Sequence, residues 1–67
     1  MSKRPLKLLR LPAVVERVTY SRSSIYLMVS RGQFPKPCSL GARAVAWVEE
    51  DVTNWIAEKV RASAATK

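Results

Sequence analysis

The 67-residue chain has no histidine, a single cysteine and two glycines. Without histidine it lacks the commonest general base and the usual nitrogen ligand for zinc or iron. The lone Cys38 excludes an internal disulfide, and one free thiol suits a reducing compartment. No run approaches the ~18 apolar residues of a membrane span. The N-terminus is basic but has no apolar stretch long enough for secretion. These absences predict a cytoplasmic protein that is not an enzyme and uses no metal and no cofactor. Size points the same way. A chain this short is one domain burying about 60% of its unfolded surface, with little room for a catalytic cavity beside a core.

Acidic side chains are also scarce, but unevenly. Residues 1–48 carry nine basic side chains against the single acid Glu16, whereas residues 49–67 carry three basic and four acidic ones. A one-sided basic field selects a polyanionic partner, nucleic acid or an anionic membrane surface. The membrane reading needs a helix with a broad Trp/Phe/Leu face, which the basic part lacks.

The best-defined stretch is Ser21 to Gly32, S-R-S-S-I-Y-L-M-V-S-R-G. Ser21 is a helix N-cap, and Gly32 stands where a left-handed C-terminal residue is wanted. Ile25, Met28 and Val29 share one face by i, i+3, i+4 spacing. The opposite face carries Ser23, Leu27 and Ser30, flanked by Tyr26, Ser24 and Arg31. Arg22 is out of place for stability, because a cation in the first turn opposes the helix dipole by roughly 0.3–1 kcal/mol. A nearby phosphate reverses that sign. The segment therefore reads as a helix lying in a DNA groove, with Ser23, Tyr26, Leu27 and Ser30 toward base edges.

Upstream, residues 1–6 read as a disordered basic arm, and Lys7 to Leu11 as a short edge strand or the lead into a helix. Pro12 opens a short helix to Val18 with a stripe of Val14, Val15 and Val18. Three valines give it poor intrinsic helicity, so it needs tertiary packing. Thr19 and Tyr20 leave only a tight connection to Ser21, which makes a helix-turn-helix. Tyr20 is expected to plug the junction between the two helices.

Downstream, Q-F-P-K-P breaks regular helix, and Phe34 anchors the loop in the core. Residues 38–47 read as a hairpin, a wing with Arg43 at its tip for a phosphate or the minor groove. Glu49, Glu50 and Asp51 resemble a carboxylate cluster, but they suit the positive end of a last helix. Val52, Trp55, Ile56 and Val60 form its apolar stripe, and Trp47 and Trp55 belong to the core. The globular domain spans 7–61, and 62–67 is a frayed tail. The fold class is mainly α with a small β-hairpin wing, a winged helix-turn-helix of three helices.

Several fragments together resemble the AlpA family: L-L-R-L-P at Leu8–Pro12, S-R-S-S-I-Y at Ser21–Tyr26, R-G-Q-F-P-K-P at Arg31–Pro37, L-G-A-R-A-V-A-W at Leu40–Trp47 and V-x-x-W-I at Val52–Ile56. That family comprises small phage and prophage regulators with a winged helix-turn-helix related to MerR-like and excisionase-like domains. The resemblance covers about residues 7–60. It implies a second helix in the major groove, a wing beside it, and action on transcription or prophage excision. By position it implies DNA contacts from Ser21, Arg22, Ser23, Tyr26, Arg31, Lys36 and Arg43. Lys7 and Arg10 are further phosphate candidates.

The chain departs from the family pattern twice. Thr19 stands where the turn often has Gly, leaving room for a differently shaped backbone. Leu27 stands where Arg is frequent. An apolar side chain there cannot bond a guanine edge or a phosphate, though it can touch a thymine methyl.

The expected function is a sequence-specific DNA-binding transcriptional regulator, with helix 21–31 in the major groove and wing 38–47 on the backbone or minor groove of double-stranded DNA. One helix and one wing read few base pairs, so cooperative self-association on DNA, or partnership with RNA polymerase or a phage integrase, is the expected supplement. Nucleoid association follows from DNA binding. Two rival readings stand beside this function. One is an excisionase-type recombination directionality factor that binds and bends DNA. The other is a protein-binding adaptor using the acidic last helix or Leu27.

Overall fold

A computed structural model describes residues 6–65; the proposed basic arm (apart from Leu6) and the last two residues lie outside that range. The elements run β1 (Leu8–Leu9), α1 (Leu11–Val18), α2 (Arg22–Ser30), β2 (Cys38–Ser39), β3 (Val45–Val48) and α3 (Glu49–Ala65). This is the mainly helical, winged helix-turn-helix arrangement expected from the sequence.

The three short strands form one antiparallel sheet in the order β1-β3-β2. Leu8 pairs with Val48 and Leu9 with Trp47 on one side, while Cys38 pairs with Ala46 and Ser39 with Val45 on the other. The edge-strand alternative for Lys7 to Leu11 is therefore the one realised. As the central strand, β3 is covered on both sides and buries both Ala46 and Trp47. The Glu49 amide donates to the Lys7 carbonyl at 2.7 Å, extending the β1–β3 pairing into the start of α3.

The core gathers Leu9, Leu11, Val14, Val18, Ile25, Phe34, Trp47 and Val52, with Met28, Val29, Trp55 and Ile56 packed partly against it. Every helix contributes its predicted apolar face, but two expectations change. Val60 is 62% exposed, because α3 continues past the end of the surface that its stripe covers. Tyr20 is 42% exposed and meets the edge of Trp55 at 6.0 Å, so it packs the turn onto α3 rather than plugging the α1–α2 junction.

The turn between α1 and α2 depends on one backbone conformation. Thr19 caps α1 with φ 63°, ψ 19°, and its amide donates to the Val15 carbonyl at 2.8 Å. A β-branched residue in this left-handed region costs roughly 1–2 kcal/mol. Thr19 nonetheless adopts the shape a glycine would take.

Candidate functional site

Helix α2 is delimited at both ends by the chemistry its sequence announced. At the start, the Ser21 hydroxyl accepts from the Ser24 amide at 3.2 Å and donates to the Ser24 hydroxyl at 3.1 Å. At the end, the Gly32 amide donates to the Val29 carbonyl and the Gln33 amide to the Met28 carbonyl, with Gly32 at φ +72°. This crossed pair is the Schellman arrangement that glycine favours. Between the caps Ile25 is fully buried, while Arg22, Ser23, Tyr26, Leu27 and Ser30 are all exposed.

The decisive geometry lies between α2, the wing and the first residues of α1. Arg10, Leu11 and Pro12 from the start of α1, Arg22 and Tyr26 from α2, and Arg43 and Val45 from the wing line a single open groove of about 390 Å³. Three arginines separated by as many as 33 positions in the chain thus border one concavity. Among the described residues, no carboxylate pairs with Arg10, Arg22 or Arg43. Arg10 is the N-cap residue of α1 but makes no side-chain cap bond, so its side chain is not tied down by its own helix. Tyr26 is part of the lining. It is about half exposed, with its ring tilted against Trp47 at 6.4 Å.

The remaining candidates lie elsewhere. Ser23, Leu27 and Ser30 sit on the outward face of α2, and the Ser30 hydroxyl donates to the Leu27 carbonyl at 2.7 Å. Arg31 is the C-cap of α2 and Lys36 belongs to the following loop; both are exposed, and neither lines the groove. Of the two extra cations, Arg10 joins the groove and Lys7 does not. The signal for Arg10 was a helix start carrying an arginine where Ser, Thr or Asp would normally cap.

Wing and α2 are held in register by the loop between them. Trp47 Nε1 donates to the Pro35 carbonyl and Trp55 Nε1 to the Gln33 carbonyl, each at 2.8 Å. The Phe34 ring meets Trp55 at 4.8 Å and Trp47 at 6.4 Å, both edge to face. The carboxylates of Glu49, Glu50 and Asp51 occupy the first turn of α3. Among the described residues no group of three His, Cys, Asp or Glu side chains is disposed to hold a metal ion. No helix there is long and apolar enough to cross a membrane.

Residues 7–60 match a family model described as prophage CP4-57 regulatory protein (AlpA). The chain belongs to the AlpA family. Among curated relatives, an uncharacterized protein, ORF88, of Enterobacteria phage P4 is 41% identical over 54 residues, which is 81% of this chain and 61% of the phage protein. The DNA-binding transcriptional activator AlpA of Escherichia coli (strain K12) is 29% identical over 84% of this chain and 89% of that protein. This AlpA-family chain thus spans somewhat under two thirds of the phage P4 relative and most of the E. coli one. No solved structure matches it.

Proposed function

We propose that this AlpA-family chain is a sequence-specific DNA-binding regulator of transcription that acts by binding rather than catalysis. The observation that carries the reading is the groove shared by Arg10, Arg22 and Arg43 beside the exposed face of α2. Like charges crowded without counter-charge gain nothing in the free protein, whereas a phosphodiester backbone neutralises all three at once. With a phosphate strand in the groove, α2 enters the major groove and presents Ser23, Tyr26, Leu27 and Ser30 to base edges. Ser21, Arg31 and Lys36 then border the adjoining backbone, and the wing rides on the same strand through Arg43. The E. coli relative, named as a transcriptional activator, favours regulation over excision.

A chain of this kind works in the cytoplasm on the nucleoid. Its short reading surface calls for cooperative self-association on DNA or a partner such as RNA polymerase or a phage integrase.

The test is affinity for a duplex selected from a random pool, measured across salt concentrations. Binding falls steeply with salt as phosphates release counterions. Arg22→Ala and Arg43→Ala each weaken it about tenfold and flatten the salt slope by about one, with little change in melting temperature. Absence of DNA retardation, or salt-insensitive binding, overturns the reading. Wild-type affinity in either variant removes that arginine from the interface.

A further inference from the structure

The outward face of α2 carries no charge at its centre. Leu27 is 49% exposed there, between Ser23 and Ser30. The cations stand to the side, with Arg22 at the groove and Arg31 at the C-terminal cap. The Ser30 hydroxyl proton is committed to the Leu27 carbonyl, so toward a ligand Ser30 offers only lone pairs. Bidentate donors select guanine in the major groove, and Asn or Gln select adenine. This face has neither. What a branched alkyl group recognises on a base edge is the C5-methyl of thymine.

A leucine also gains nothing from exposure to water, and burial against another alkyl group removes that area from solvent. A protein partner would cover Leu27 equally well. The arginine groove alongside, however, fits a polyanion and leaves little place for an acid-poor protein surface.

We infer that Leu27 is a specificity-determining residue that reads a thymine methyl group, so that α2 selects its site by apolar contact at its centre and by phosphate contact at its flank. The inference rests on the DNA-binding reading above and assigns the base chemistry of the same surface. It predicts that the site contains a thymine whose methyl, rather than its hydrogen-bonding groups, is recognised.

The experiment replaces each thymine of the selected duplex, one at a time, by uracil, which removes the methyl and keeps the base pair. Wild-type protein is expected to lose about fourfold in affinity at one or two thymines and nothing elsewhere, the value of one methyl-sized group withdrawn from water. Leu27→Ala is expected to bind the thymine duplex about fourfold more weakly and not to distinguish uracil from thymine at those positions. Equal wild-type affinity for every uracil duplex overturns the inference, and so does a Leu27→Ala variant that keeps the discrimination. The uracil series on wild-type protein needs no variant, so it decides the matter whatever the substitution does to folding. If DNA binding is intact while uracil is tolerated, only the Leu27 assignment falls; if no duplex binds at all, both readings fall.

Discussion

α2 and α3 begin with opposite chemistry. α3 opens on Glu49, Glu50 and Asp51, three carboxylates at the positive end of its dipole, and runs for 17 residues. α2 runs for 9 residues, has no acid in its first turn and places Arg22 there instead. One helix is arranged for its own stability. The other carries a charge that its own field disfavours and has a single fully buried side chain, Ile25, with Met28 and Val29 packed only partly against the core. The difference is one of local fit: α3 complements its own dipole and α2 does not. A residue that is locally unfavourable, exposed and grouped with two other arginines is what the proposed DNA contact would explain.

The largest effect should come from the thinness of α2's anchorage. Ile25→Ala removes its one fully buried side chain and is expected to cost roughly 2–5 kcal/mol, enough to unfold much of a domain this small. Urea or thermal denaturation followed by circular dichroism measures it. A loss below about 1 kcal/mol would mean that α2 is held by its half-buried residues instead.

Arg22→Glu sets the two helices on equal terms and should move stability and function in opposite directions. Affinity for DNA is expected to fall about a hundredfold or more, since an attraction to phosphate becomes a repulsion. The fold itself should gain ~0.3–1 kcal/mol from the helix dipole. Gel retardation and a melting curve on the same sample read both. A variant that loses stability along with binding would make Arg22 structural.

Thr19→Gly relieves the left-handed strain at the entrance to α2. A net gain of about 1 kcal/mol is expected once glycine's greater freedom in the unfolded chain is counted. In a domain of this size that raises the melting temperature by roughly 4–8 °C. An unchanged or lowered value would show that the threonine side chain contributes more than its backbone costs.

The smallest effect belongs to α3. Asp51→Ala should lower stability by ~0.3–1 kcal/mol, less at high salt, and leave DNA affinity unchanged. A specific loss of binding would give the acidic turn a role beyond its own helix.

Much of this organisation was legible in the sequence because it is local. The limits of α2 follow from Ser21 and Gly32, each acting on backbone groups within a few residues. The proline-rich loop, the wing and the buried Phe34 and Trp47 follow from turn chemistry and aromatic bulk. What escaped depends on distances across the fold. Periodicity assigns Val60 to the same stripe as Ile56 but cannot say that the covered surface ends before it. Tyr20 sits at a junction in sequence, yet its neighbour is Trp55 on another helix. The left-handed conformation of Thr19 runs against the preference of its own β-branched side chain. Most of all, the meeting of Arg10 with Arg22 and Arg43 depends on β1 pairing with β3, which brings the start of α1 beside the wing.

The two indole N–H groups that hold the Gln33–Pro35 carbonyls also have an optical consequence. Both tryptophans of the chain donate to the same short strap, which joins α2 to the wing and so bears on the angle between them. Their emission is therefore a built-in goniometer. Any opening of that angle when a duplex is clasped would wet one indole or the other and shift its fluorescence to the red, with no dye attached.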